Sequence, residues 1–316
     1  MVTISSIISK SRIIVLWCLL LLGSAEVQAQ SEPIYSQYMF NPLNINPAFA
    51  GSRGVTSGTM LIRNQWEGIK GAPQTSLLST EMLLNEGRIG LGIQVMDDRI
   101  GIERTSGVLA NYSFRIATSE RGVLSLGLRG GLLNYRANFT EINTFDPSDP
   151  TFGQNVNGFL PAAGAGIYYS TDKFYAGFSV PSLLSTKLSA TQRADVGSGS
   201  LRNLHMFYMM GFVVDLSDDV VLKPSMLVKR VNAAPVQVDL NANIWFKEIF
   251  SVGASYRSGD AVVGMLEYQI SPKFRAGYAY DYTISNLRSY NLGTHELMLR
   301  FELPTKSSSI VSNRNF

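Results

Sequence analysis

The chain is poor in the residues that carry most covalent and metal chemistry. Cys18 is the single cysteine in 316 residues, and His205 and His295 are the two histidines. Beyond Cys18 there can be no disulfide framework and no thiolate metal site. Two histidines so far apart lack the clustering of known ligand patterns, so both read as girdle or lumen polar residues. A charge imbalance is missing too. Removing Lys10, Arg12 and Glu26, which belong to a leader, from the 27 basic and 24 acidic residues leaves 25 and 23. A net charge this small gives no electrostatic footprint for nucleic acid. After residue 29 no apolar run approaches the about 20 residues of a spanning helix. A membrane form of this chain must then be a closed barrel, which alone satisfies every backbone N–H and C=O in hydrocarbon. The Gly-Leu-Gly run at 90–92 and the Gly-Ala-Gly run at 164–166 lie inside strands with no helix following, which argues against a phosphate cradle. No Ser, His and carboxylate set stands out, and Asp97-Asp98 reads as a solvated turn. The expectation is a protein without catalysis and without a cofactor.

What the chain does have begins with an export signal. Lys10 and Arg12 precede a ten-residue apolar core from Ile13 to Leu22, and Val27-Gln28-Ala29 supplies a small-residue cleavage point, leaving Gln30 as the expected new N-terminus. The core is too short to span a bilayer. Cys18 follows Ile14-Val15-Leu16-Trp17 rather than a lipidation site.

Past the leader, alternation dominates. Val236, Val238, Leu240, Ala242, Ile244 and Phe246 fall on one side of an extended strand, and Gln237, Asp239, Asn241 and Asn243 on the other. Fourteen such segments are predicted: 55–66, 74–84, 88–97, 106–116, 122–136, 160–169, 173–181, 203–215, 220–231, 235–246, 249–258, 261–270, 273–283 and 293–303. Their length fits the roughly 9–11 residues of a tilted transmembrane strand. Every even-numbered segment is followed by a tight polar turn, such as Asn85-Glu86-Gly87 or Ser271-Pro272, whereas most odd ones are followed by longer connections, the longest being 137–159 and 182–202. Short periplasmic turns alternating with longer outer loops are the layout of a bacterial outer-membrane barrel. Aromatics at the ends of the apolar faces, Phe274 with Tyr280 and Tyr282, and Phe250 with Tyr256, suit interfacial girdles. The polar faces carry Arg88, Gln94, Arg129, Asp239, Asn241, Arg257, Glu267, Arg275, Asp281, Glu296 and Arg300, interspersed with Gly90, Gly92, Gly253 and Gly277. Charges of both signs point to an ion-paired lumen rather than a wide pore. Glu267 and Arg275, flanking one tight turn, are expected to pair.

Residues 33–54 break the pattern. They are aromatic, asparagine-rich and interrupted by Pro42 and Pro47, which exclude a long helix or a central strand. Tyr35, Tyr38, Met39, Phe40 and Phe49 do not suit a solvated tail. The segment is expected to insert into the lumen or clamp its periplasmic end, with a membrane-surface or partner-binding arm as the rival. The resulting division is a signal peptide over 1–29, a plug or clamp over 30–54, an outer-membrane barrel over 55–303 and a polar tail over 304–316.

These residues also carry a resemblance. The run Ser36-Gln37-Tyr38-Met39-Phe40-Asn41, with Tyr35 before it, followed by Asn46-Pro47-Ala48-Phe49-Ala50-Gly51, resembles the opening signature of the PorP/SprF family of type IX secretion system membrane proteins. Arg63-Asn64-Gln65-Trp66, Tyr278-Ala279-Tyr280-Asp281 and Gly293-Thr294-His295-Glu296 match further pieces, over about residues 31 to 303. Phe49 stands where the family more often has tyrosine, and the tail from Pro304 runs past the last strand. The resemblance implies an outer-membrane component of a Gram-negative secretion and gliding apparatus. Its partners would be periplasmic ring lipoproteins, other outer-membrane components or a secreted adhesin, within outer-membrane lipid. It would act by docking or anchoring. Two alternatives remain: a fatty-acid-transporter-like channel for a small hydrophobic solute, also fourteen-stranded with an N-terminal plug, and a general porin-like barrel.

Overall fold

A computed structural model describes residues 35–141, 154–184, 187–188, 194–195, 204–231 and 234–303. The expected signal peptide, the tail after Leu303 and most of the two longest loops lie outside these residues. Fourteen strands form the barrel: β1 (Thr56–Asn64), β2 (Gln74–Leu84), β3 (Ile89–Ile100), β4 (Glu103–Ala117), β5 (Val123–Ala137), β6 (Val156–Ser170), β7 (Phe174–Val180), β8 (Met206–Phe212, continued as Val214–Ser217), β9 (Val220–Arg230), β10 (Gln237–Phe246), β11 (Phe250–Arg257), β12 (Ala261–Ser271), β13 (Phe274–Thr283) and β14 (Thr294–Leu303).

Each strand pairs antiparallel with its sequence neighbours. The ring closes where β1 meets β14, from Thr56↔Leu303 to Asn64↔His295. Closure removes every open edge, the requirement for strands in hydrocarbon. Alternation decides which way each side chain points. In β2, Thr75, Leu77, Ser79 and Glu81 are buried inside, while Leu78 and Met82 are exposed outside. The same holds around the wall, with Ile93, Leu128, Leu240, Leu266 and Leu297 all exposed. An apolar belt this continuous far exceeds what a water-facing surface tolerates and fits the lipid-facing band of a barrel.

One end of the barrel is closed by six connections of two to five residues. The other end has seven connections ranging from two to 25 residues. Aromatic pairs ring the turn end: Phe174–Phe212 at 5.1 Å, Phe246–Phe250 at 6.5 Å and Phe274–Phe301 at 4.9 Å between centroids. Strands β4, β5 and β6 run 15 residues each; β5 has its expected length, β4 and β6 are longer than expected, and all three are longer than a bilayer crossing needs, so this side of the wall projects beyond the belt at the loop end.

That projection corrects one expectation. Asp97 and Asp98 are not a solvated turn; they lie in β3 opposite Ser106 and Thr105. Arg104 pairs with Asp97 at 2.7 Å, and the Thr75 hydroxyl donates to Asp98 at 2.5 Å. One ion-paired and the other hydrogen-bonded, two adjacent carboxylates sit within a ladder. Arg88 is a second correction. It is exposed at the turn before β3, because Asn85 and Glu86 take φ of 51° and 53° and delay the strand to Ile89.

Candidate functional site

Residues 35–54 occupy the lumen. From Tyr35, near the loop end, they descend to the turn end before β1 begins, so the segment fills the barrel rather than clamping one mouth. Tyr35, Ser36, Gln37, Tyr38, Phe40, Asn41, Asn46, Pro47, Ala48, Phe49 and Gly51 are all buried, and Met39 is half-buried.

At the loop end three distant stretches converge. Arg63 of β1 stands directly opposite Glu296 of β14, and Asp281 of β13 opposite Thr294. This register places both carboxylates around one guanidinium, with Arg63 2.8 Å from Glu296 and 2.9 Å from Asp281. Arg257 joins from β11, 2.9 Å from Asp239 and 3.5 Å from Asp281. The plug supplies what the carboxylates still need. The backbone N–H groups of Ser36 and Gln37 donate to the two oxygens of Glu296 at 2.9 and 2.8 Å. The Ser36 hydroxyl donates to Asp281 at 2.6 Å and accepts from Arg63 and Arg257 at 3.0 and 3.2 Å. Removing one partner from so buried a set would strand a charge, at a cost of about 3–5 kcal/mol. Above the cluster, Trp66, at φ 51°, donates its N–H to the Thr294 hydroxyl at 3.1 Å, while Gln65 begins the loop with its N–H on Pro73. The Tyr280 hydroxyl donates to the Leu292 carbonyl at 2.8 Å beside Gly293, whose φ of 96° leaves no place for a Cβ. His295 faces outward between Tyr278, 2.7 Å away, and Glu67, 2.9 Å away.

Lower down, the plug sits on the wall through polar contacts and glycines. The Asn41 amide donates to Ser79 at 3.1 Å, and the Leu43 carbonyl accepts from Arg129, which also reaches Gln94 and Asn111. Asn46 caps the short turn Pro47–Phe49, accepting from the Ala48 N–H at 2.9 Å, and donates to the Ile167 carbonyl at 3.0 Å. Phe49 stacks on Tyr168 with centroids 3.8 Å apart. Gly90 and Gly127 form the seats: a Cβ on Gly90 would come within 1.8 Å of the Ala50 carbonyl oxygen, and one on Gly127 within 2.1 Å of the Ala48 nitrogen.

At the turn end lies a second charged set. Arg53 is 2.9 Å from Glu81 and 3.9 Å from Glu302. Arg300 stands 3.7 Å from Glu267 and 3.8 Å from Glu302, and Arg275 is 3.4 Å from Glu267. The Phe40 carbonyl accepts from both Arg53 and Arg300.

The model of the PorP/SprF family, type IX secretion system membrane protein, matches residues 27–301, which takes in the plug, the loop-end charged set, the turn-end set apart from Glu302, and nearly the whole wall. The chain belongs to the PorP/SprF family. No curated protein matches it. Among solved structures it is similar to a Pseudomonas aeruginosa FadL homologue (10% identity, 89% of this chain and 97% of that one, TM-score 0.47). It is also similar to the Ralstonia pickettii toluene transporter TbuX (8%, 82% and 92%, 0.48) and to the Acinetobacter baumannii outer membrane protein Omp33 (10%, 79% and 98%, 0.43).

In this PorP/SprF barrel the motif residues divide. Ser36, Gln37, Arg63, Asp281 and Glu296 meet in one cluster, whereas Asn41, Asn46 to Ala48 and Gly51 are spread along the descent. Arg53, Glu81 and Glu302 were not singled out from the sequence. Strand parity was the available signal for Glu81, which shares the inward face with Thr75, Leu77 and Ser79. Among the described residues no group of three or more His, Cys, Asp or Glu side chains is placed to hold a metal.

Proposed function

We propose that this PorP/SprF protein sits in the outer membrane and serves type IX secretion and gliding by contact, docking machine components or a secreted adhesin, without catalysis. The observation that carries this reading is the filled lumen. A plug with its polar groups bonded to wall residues at both ends and its side chains buried leaves an anchoring platform in place of an open conduit. The loop end, with its connections of up to 25 residues, would face outward, since long loops on a rigid barrel are the usual site of recognition. Inner partners would engage the short turns and the barrel rim, because residues 35–50 are buried against the wall.

Planar-bilayer recording of the purified protein tests the filled lumen, and a steady ion conductance would overturn it. Deleting the gene should remove an adhesin from the cell surface or abolish secretion, and affinity purification should retain other secretion components. A deletion strain that secretes and glides normally yet loses uptake of a small hydrophobic solute would favour the transporter alternative.

A further inference from the structure

In the turn half of the lumen, a cavity of about 40 Å³ lies between the Met39–Phe40 bend of the plug and the wall. Three cations line it, Lys223, Arg275 and Arg300, and no carboxylate does. Glu267, close by, is already shared between Arg275 at 3.4 Å and Arg300 at 3.7 Å. Lys223 forms no ion pair among the described residues; its ammonium stands 4.7 Å from the Trp245 ring, and the Arg275 guanidinium lies at the same distance from that ring. Two buried donors here, Trp245 Nε1 and Arg300 Nε, have no acceptor in the protein, although both residues are at most 4% exposed. With Glu302 3.8 Å from Arg300, two carboxylates stand against these three cations; the remaining positive charge and the idle donors are costly in a low-dielectric interior, and an anion offsets both.

The wall beside this cavity is interrupted. The β8–β9 ladder runs from Met206↔Arg230 to Gly211↔Ser225, lapses, and resumes at Val214↔Leu222. Opposite Phe212 in the gap is Pro224, which has no N–H to give to a ladder. Both residues also line the cavity, and Phe212 is exposed on the lipid-facing side. The volume admits about three water-sized groups at the ~10–15 Å³ that each requires. That is room for an acidic headgroup and none for an acyl chain. We propose that the cavity is the headgroup site of an anionic amphiphile, a carboxylate or phosphate monoester. Lys223, Arg275, Arg300 and Trp245 hold its head, and its chain leaves through the wall past Phe212 and Pro224 into the bilayer.

The test uses the purified full-length protein in nanodiscs of zwitterionic lipid. Quenching of Trp245 emission by 2-bromododecanoate is read with Trp245→Phe as background, and competitors are then added. Dodecanoate and dodecyl phosphate should displace the quencher saturably, while dodecanol and inorganic phosphate should each need at least about tenfold more. Lys223→Met should weaken dodecanoate about tenfold, and Lys223→Arg should restore it to within about threefold, with heat-modifiable gel mobility confirming that each barrel is folded. Phe212→Ala, on the outer face, should weaken dodecanoate and leave inorganic phosphate unchanged; this arm stands even if Lys223→Met does not fold. Dodecanol competing as well as dodecanoate would remove the anion requirement. Inorganic phosphate competing as well would reduce the site to a free-anion pocket with no chain exit. Either result overturns the proposal, as does unaltered binding in a folded Lys223→Met barrel.

Discussion

The two charged sets at opposite ends of the lumen are built from similar residues and differ in how tightly they close. At the loop end, Arg63 and Arg257 make three contacts of 2.8 to 2.9 Å with Glu296, Asp281 and Asp239. The plug there adds two backbone N–H groups and a hydroxyl to the same carboxylates. At the turn end the plug adds the Phe40 carbonyl, which accepts from Arg53 and Arg300, but a single ion pair, Arg53 to Glu81, is that short, and the other ion pairs stretch from 3.4 to 3.9 Å. An N–H···O hydrogen bond spans about 2.7–3.2 Å, so the longer contacts are attractions without a full bond. Low dielectric strengthens a satisfied network and penalises a partial one. The first set is therefore a staple for the plug, and the second keeps cations in reserve beside the cavity.

Substitution should separate the two. Arg63→Met leaves Glu296 without its cation and Asp281 with Arg257 alone at 3.5 Å, with an expected loss of about 3–5 kcal/mol. The expected readouts are a lowered transition in heat-modifiable mobility and rapid proteolysis within residues 35–50. If the plug stays protected in that variant, the staple reading fails. Arg275→Met, at a half-buried site with longer contacts, should cost no more than about 1–2 kcal/mol by the same assay, nearer the value of an ordinary charged hydrogen bond. The glycine seats give an intermediate effect. Gly90→Ala forces the Ala50 carbonyl away and should cost about 1–3 kcal/mol as overpacking, while loosening the plug. Gly264→Ala is the control. It faces outward with nothing within 4 Å of the added carbon and should leave the melting transition unchanged.

The wall was legible in the sequence because strand period is local. Fourteen segments, their in–out alternation and the split between tight and long connections all follow from neighbours along the chain. The full lengths of β3 and β4 were harder to see, since Asp98 and Arg104 look like loop residues until the Thr75 hydroxyl and the Asp97 carboxylate hold them within the ladder. Arg88 was misplaced because the left-handed turn at Asn85 and Glu86 moves the start of β3 by one residue. The plug was legible as something that must be covered, from its aromatics and prolines. Its partners were not: Ser36 meets Asp281 across 245 residues of sequence, a pairing set by barrel closure rather than by local pattern. Lumen glycines such as Gly90 and Gly127 read as filler along a strand, and their role emerges only when the plug backbone lies against them.

The smallest effect expected lies outside both sets, on the rim above the staple. His295 faces outward between the Tyr278 hydroxyl and Glu67, and the Glu67 and His295 side chains are 56% and 37% exposed. A contact so open to solvent contributes at most about 1 kcal/mol, and any ionic part of it weakens with salt. Glu67→Gln should therefore shift the thermal transition only slightly, and raising the salt concentration should erase that shift. Arg63→Met lies in the next residue pair of the β1–β14 ladder, yet its effect should persist in high salt, because its partners are shielded from ions by the plug. Measuring both variants at low and high salt compares a screened contact with a sealed one. Equal salt sensitivity in the two would show that solvent reaches the loop-end cluster and that residues 35–37 do not seal it.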